Sequence, residues 1–160
     1  MIRKAAMFCM GIALVMTAAT AQGAPVSARD EVLQFVKSYI DANNRNDATA
    51  VMDMTSKKST VSSVAMGEIT RGWEAIRTSV DARVGSSAND KVTLGVVDVQ
   101  ALGQTYALAV APFSATATTA EGDVQLRGIL TLVLERTGSQ WKLLHEHASF
   151  QIPEASKADE

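Results

Sequence analysis

The sequence predicts an α+β domain, with helices first and an antiparallel meander afterwards. Two observations predict it. Up to about residue 85, apolar residues recur at three- and four-residue spacing, the mark of one-sided helices. After Asp90 the texture turns β-like, in four strand-length runs separated by short turns. Helices grouped before strands exclude the alternating order of a parallel βαβ sheet.

Each element has its own signal. Ser27 followed by Asp30 reads as an N-cap with an acidic partner three residues on. Beyond it Val32, Phe35, Val36, Tyr39 and Ile40 fall on one helical stripe, and the polar run from Asp41 to Asp47 ends the helix. A short second helix is expected over about 47–55, capped by Asn46 or Asp47, with Val51, Met52 and Met54 inward. Residues 60–69 read as a small hairpin turning at Ala65-Met66-Gly67. Gly72 opens a third helix with Trp73, Ile76, Val80 and Val84 on one side and Gly85 as its stop.

Four strands are expected over 91–102, 105–118, 123–136 and 140–152. The connections at Gly103-Gln104, Ala120-Glu121-Gly122 and Thr137-Gly138-Ser139 suit hairpins. Pro112 cannot donate to a ladder, so it is expected at a bulge or bend. Along 124–134 both alternating sets are largely apolar, where a sheet with one wet face should alternate more cleanly. The helices cover one face; on the other a second copy of the chain is expected, giving a homodimer through the outer sheet face, the alternative being a C-terminal segment or loop folded over it.

Composition sets the bounds. The chain has 160 residues, 47% of them hydrophobic, which suits one domain with a core of its own. Its net charge of −2 lacks the basic footprint that nucleic-acid binding requires. Residues 1–21 read as a signal peptide, which makes the chain exported, periplasmic or secreted. Arg3 and Lys4 precede the apolar run Ala5 to Val15, and Ala19-Thr20-Ala21 supplies small residues for cleavage after Ala21. The run is too short to span a bilayer, so no membrane partner is expected after cleavage. The leader carries two of the fifteen bases, none of the acids and the only cysteine, so the rest of the chain bears a net charge of −4 and no thiol. Residues 22–27 form a linker, 28–152 the domain, and 153–160 a charged tail expected to be disordered.

The order of helices, hairpin, third helix and meander over 28–151 resembles the nuclear-transport-factor-2-like superfamily, which includes ketosteroid isomerases and SnoaL-like polyketide cyclases. The closing segment carries the best local evidence. Arg127 to Arg136, a glycine turn and Trp141-Lys-Leu-Leu-His145-Glu-His147-Ala-Ser149 look like the W-K-I-V-H-x-H-x-S ending of many SnoaL-like domains. Tyr39 to Asp47 is similar to the family's first turn. The resemblance implies a cone-shaped fold, three N-terminal helices packed against a curved antiparallel sheet, with a pocket inside the cone. It also puts Tyr39 at the place of the isomerase tyrosine that hydrogen-bonds the substrate oxygen. The isomerase general base falls at Ser63, and its second oxyanion acid near Thr131 or Leu132. A serine hydroxyl does not remove a carbon-bound proton without an activating base. Two of three parts are therefore absent, and steroid-type isomerisation is not expected.

The remaining candidates lie mostly on the last strand. Strict alternation puts Trp141, Leu143, His145, His147 and Ser149 on one face, and Lys142, Leu144, Glu146, Ala148 and Phe150 on the other. The histidines are then about 6.5–7 Å apart along the strand, near enough to line one pocket with Ser149 and Tyr39. One could act as a general base, or both could be strand histidines with structural hydrogen bonds. A metal would need a third ligand that the sequence does not place, so neither metal nor cofactor is expected. Trp73 could wall the pocket or belong to the core. Arg127 shares its parity with Ile129 and Thr131; buried, it would require Glu135, Glu146 or a ligand carboxylate as partner. The expected function is an exported SnoaL-like protein binding a small, mostly apolar molecule without catalysis. The alternatives are a cyclase, dehydratase or isomerase using His145 or His147 as acid–base with Tyr39 as polariser, and a homo-oligomeric assembly domain.

Overall fold

The computed structural model describes residues 27–86, 91–119 and 122–151. The expected signal peptide, most of the linker, the tail and part of the Ala120-Glu121-Gly122 turn lie outside those residues.

Helix α1 (Ala28–Asn44) starts as expected: the Asp30 amide donates to the Ser27 hydroxyl at 3.1 Å. Its stripe of Val32, Phe35, Val36, Tyr39 and Ala42 is buried, while Ile40 is only partly so. Helix α2 (Ala48–Met54) is capped by Asp47, which accepts from the Ala50 amide at 2.9 Å. The hairpin of β1 (Ser62–Ala65) and β2 (Glu68–Arg71) turns on Met66 and Gly67, both at positive φ, as a type I′ turn requires. Helix α3 (Trp73–Ser86) runs through Gly85, which does not stop it.

The meander departs from expectation at its first strand. Residues 91–102 form two pieces, β3 (Lys91–Leu94) and β4 (Asp98–Leu102), both paired antiparallel to β5 (Tyr106–Thr119). The gap between them lies opposite Pro112, whose carbonyl accepts from the Gly95 amide at 2.8 Å. The proline thus breaks its neighbour rather than its own strand, and β5 runs past it in unbroken register with β6 (Gly122–Thr137). Strand β7 (Gln140–Gln151) completes the sheet, in the order β2-β1-β7-β6-β5-β3 with β4 also on β5. One pairing corrects the all-antiparallel expectation: β1 lies parallel to β7, adding the early hairpin to the last strand.

The curved sheet wraps α1. Ala107, Ala109, Phe113, Leu130, Leu132, Leu134, Trp141 and Leu143 on its concave face close over Val32, Phe35, Val36 and Tyr39. Each of the large apolar side chains adds about 1.5–3 kcal/mol by leaving water. Met52, Val61 and Ile76 form a smaller core beneath α3, joined by Trp73.

Candidate functional site

The last strand decides which residues face the helix. Leu134 pairs with Leu143, yet Val133 pairs with His145, so Leu144 is an extra residue and β7 carries a bulge. Beyond the bulge the alternation is inverted. Trp141 and Leu143 are buried against α1, and the next side chain to point that way is Glu146, followed by Ala148 and Phe150. His145, His147 and Ser149 turn to the convex face.

That corrects the face assignment made from strict alternation. His147 and Ser149 are exposed, opposite Thr131 and Ile129 of β6. The His145 ring Nδ1 lies 2.9 Å from the Ser62 hydroxyl on β1. Partial burial and the neighbouring His147 hold its pKa below the usual histidine range. Arg127 is exposed at the end of the same face, paired with Gln151 and Ser114. Five of the seven candidates are brought together, but on the side away from the helix. Neither acid considered for Arg127 serves it. Glu135 is buried under the loop after α2, held by the Ser56 hydroxyl at 2.6 Å and by an ion pair with Lys58. Burial would raise its pKa, but these two donors and the Lys58 charge keep it below the usual carboxylate range. Trp73 belongs to the smaller core, with Lys57 5.6 Å and Arg77 5.9 Å over its ring.

Tyr39 is the candidate that faces inward, and it meets a residue the sequence reading assigned to the other face. Its hydroxyl donates to Glu146 Oε2 at 2.5 Å. Glu146 sits beside Leu132 on β6 and Ser63 on β1, so the three positions singled out by the isomerase resemblance converge around it. Leu132 itself carries no acid, and Glu146 stands opposite it on the neighbouring strand. The Asn43 side chain donates to the Tyr39 carbonyl at 2.8 Å and accepts from Arg83 at 2.6 Å. Enclosure of the Glu146 carboxyl raises its pKa above the usual range, partly offset by the Tyr39 hydrogen bond and the Arg83 charge. Burial, then the adjacent Glu146 charge, pushes the Tyr39 phenol well above its ordinary value. The pair can hold or release one proton and can polarise an oxygen. It has no carboxylate base at Ser63.

A cavity of about 430 Å³ opens elsewhere on the concave side, between the first turn of α1 and the β4–β5 hairpin. Val32, Val99, Ala101, Ala107 and Trp141 give it apolar walls, and Arg29 and Arg136 reach its edge. Its volume is in the range of small-molecule sites. Val32 and Tyr39 are seven residues apart on α1, about 10 Å, and neither Tyr39 nor Glu146 lines it. No group of three histidine, cysteine, aspartate or glutamate side chains able to hold a metal ion occurs among the described residues.

The SnoaL-like domain model matches residues 32–153, about three-quarters of the chain. The chain belongs to the SnoaL-like domain family. The fold agrees with solved structures of low identity. A dehydratase candidate of the NTF2-like family from Streptomyces avermitilis superposes with a TM-score of 0.70 at 19% identity, covering 78% of this chain and 96% of that one. An NTF2-like superfamily protein from Salmonella enterica gives 0.70 at 16%, covering 82% and 96%. A candidate calcium/calmodulin-dependent protein kinase II association domain from Xanthomonas campestris gives 0.67 at 19%, covering 87% and 97%. No curated protein matches the chain. SnoaL-like folds host unrelated activities, so function must be argued from this chain's own residues.

Proposed function

We propose that this SnoaL-like protein is an exported binder of a small, mostly apolar molecule, held in the cavity at the start of α1. The observation that carries the reading is that cavity: about 430 Å³ walled by Val32, Val99, Ala101, Ala107 and Trp141. Among the described residues no acid–base pair lines it, which favours binding over turnover. Export rests on Arg3 and Lys4, the apolar run that follows and the Ala19-Thr20-Ala21 site. The protein acts as a homodimer through the convex sheet face, where Ile129, Leu102 and Tyr106 are exposed.

Native mass spectrometry of the purified protein tests the reading. One equivalent of a small organic molecule is expected, and Ala101→Trp, which fills the cavity from an exposed position, should abolish the adduct. Bare protein in repeated preparations would overturn it.

A second reading, a lyase or isomerase, is favoured by the enclosed Tyr39–Glu146 pair, in which the carboxyl keeps its proton above the usual carboxylate range. Glu146 takes the place the histidines held in the sequence reading, since both histidines face outward.

A further inference from the structure

We propose that His145 and His147 form a two-donor chelate on the convex face of β7 for a late first-row divalent cation, copper(II) before the others, with Ser62 orienting the first ring. The bulge at Leu144 chooses the face, and beyond it the strand alternates regularly, so both imidazoles stand on one side. Their Cα atoms are about 6.5–7 Å apart. Rings leaning toward each other from that spacing can each put one nitrogen on a single ion, at about 2 Å per bond. The Ser62 hydroxyl lies 2.9 Å from His145 Nδ1. A hydroxyl oxygen can accept an Nδ1–H, and in that tautomer the lone pair is on Nε2. Metal-bound histidines characteristically donate their other ring N–H to such an acceptor. Trp73 and Arg136 hold the buried unpaired side-chain atoms among the described residues, so His145 Nε2, which has no partner there, is open to water. His147 is exposed.

The surroundings keep the donors neutral, as a metal requires. The cross-strand neighbours are Ser62 and Val64 on β1 and Val133 and Thr131 on β6, none of them charged. None can hold an imidazolium as a carboxylate would, and partial burial lowers the His145 pKa further. Arg71, beyond Ser62 on β2, is exposed, so solvent screens its charge. The donor type then selects the ion. Imidazole suits copper, nickel and zinc, whereas magnesium and calcium take oxygen donors, and affinity for a given nitrogen site peaks at copper(II). Copper(II) accepts tetragonal sets of nitrogen and oxygen, so two imidazoles on adjacent corners with water on the rest need no third side chain. The site is separate from the α1 cavity, which neither histidine lines.

Calorimetric titration of the untagged protein with copper(II) chloride at pH 7.5, with electron paramagnetic resonance of the loaded sample, tests the proposal. One equivalent should bind with two nitrogens in the equatorial plane, and excess magnesium should not displace it. His147→Ala, at an exposed position where the fold is not at stake, should weaken binding at least about tenfold and leave one nitrogen. His145→Ala should do the same. Ser62→Ala should weaken binding about tenfold with both nitrogens kept, the lower end of what an orienting partner contributes. Ile129→Glu should bind copper as wild type does, since one chain supplies both donors. No binding, or copper binding that survives both histidine substitutions unchanged, would overturn the site. Wild-type affinity in Ser62→Ala would overturn the orienting role, and loss of binding in Ile129→Glu would overturn the single-chain chelate.

Discussion

Tyr39, which is buried, hydrogen-bonds Glu146, which is partly so, and this sets a measurable pH dependence. The native carboxyl keeps its proton above the usual 4.5. As pH rises past that value the unfolded chain releases a proton the folded chain still holds, so stability falls until the native group ionises. Urea unfolding of wild type and Glu146→Gln from acid to neutral pH should show the variant gaining on wild type as pH rises. A constant difference across the range would refute the raised carboxyl. Tyr39→Phe removes the donor and should cost about 1–3 kcal/mol. Under the lyase or isomerase reading Glu146→Gln should also abolish turnover, while His145→Ala with His147→Ala leaves it intact. Much of this site was legible residue by residue: Tyr39 lies on the inward stripe, and Ser63 and Leu132 stand beside the acid. Glu146 was not, because its face depends on a strand irregularity rather than on its own identity.

At the scale of elements, local chemistry was readable and interruptions of regularity were not. Ser27, Asp47 and the Met66-Gly67 turn act where their side chains or φ preferences place them. The bulge at Leu144 left no mark, since one additional leucine in an apolar strand resembles its neighbours. Pro112 was legible as a disturbance, but which strand would yield depended on its partner at Gly95. Gly128 is another such position. It pairs with Phe113 on one side and Phe150 on the other, whose rings meet edge to face at 5.4 Å. A Cβ there would lie 1.9 Å from the Ser149 carbonyl oxygen and 2.8 Å from the Phe113 ring. Backbone cannot yield as a flexible side chain does, so Gly128→Ala should cost at least about 1–3 kcal/mol by overpacking. A denaturation midpoint equal to wild type would show that β6 and β7 can part there freely.

For the whole molecule, the two apolar faces of β6 differ in how they are covered. The concave one holds Leu130, Leu132 and Leu134 against α1. The convex one carries Ile129, 44% exposed, and Val133, next to Pro112 and Leu108 of β5, with Leu102 and Tyr106 exposed beyond them. In the proposed dimer a two-fold axis would lay this stripe against its own copy, so that one patch covers the other. Asp98 on β4 and Arg127 on β6 lie on different sides of the stripe and give the pairing opposite charges at its rim. In that dimer the five candidate residues on this face, Arg127, Thr131, His145, His147 and Ser149, would border an interface rather than a pocket. Sedimentation of wild type at micromolar concentration should give a dimer. Ile129→Glu puts a charge into the stripe and should give a monomer with an unchanged melting profile for the isolated fold. A wild-type monomer at that concentration would rule the pairing out, and a dimer that survives Ile129→Glu would move it to another surface. The result also separates the two sides of the sheet: ligand binding on the concave side should persist in the monomer, because no residue of its cavity belongs to the convex stripe.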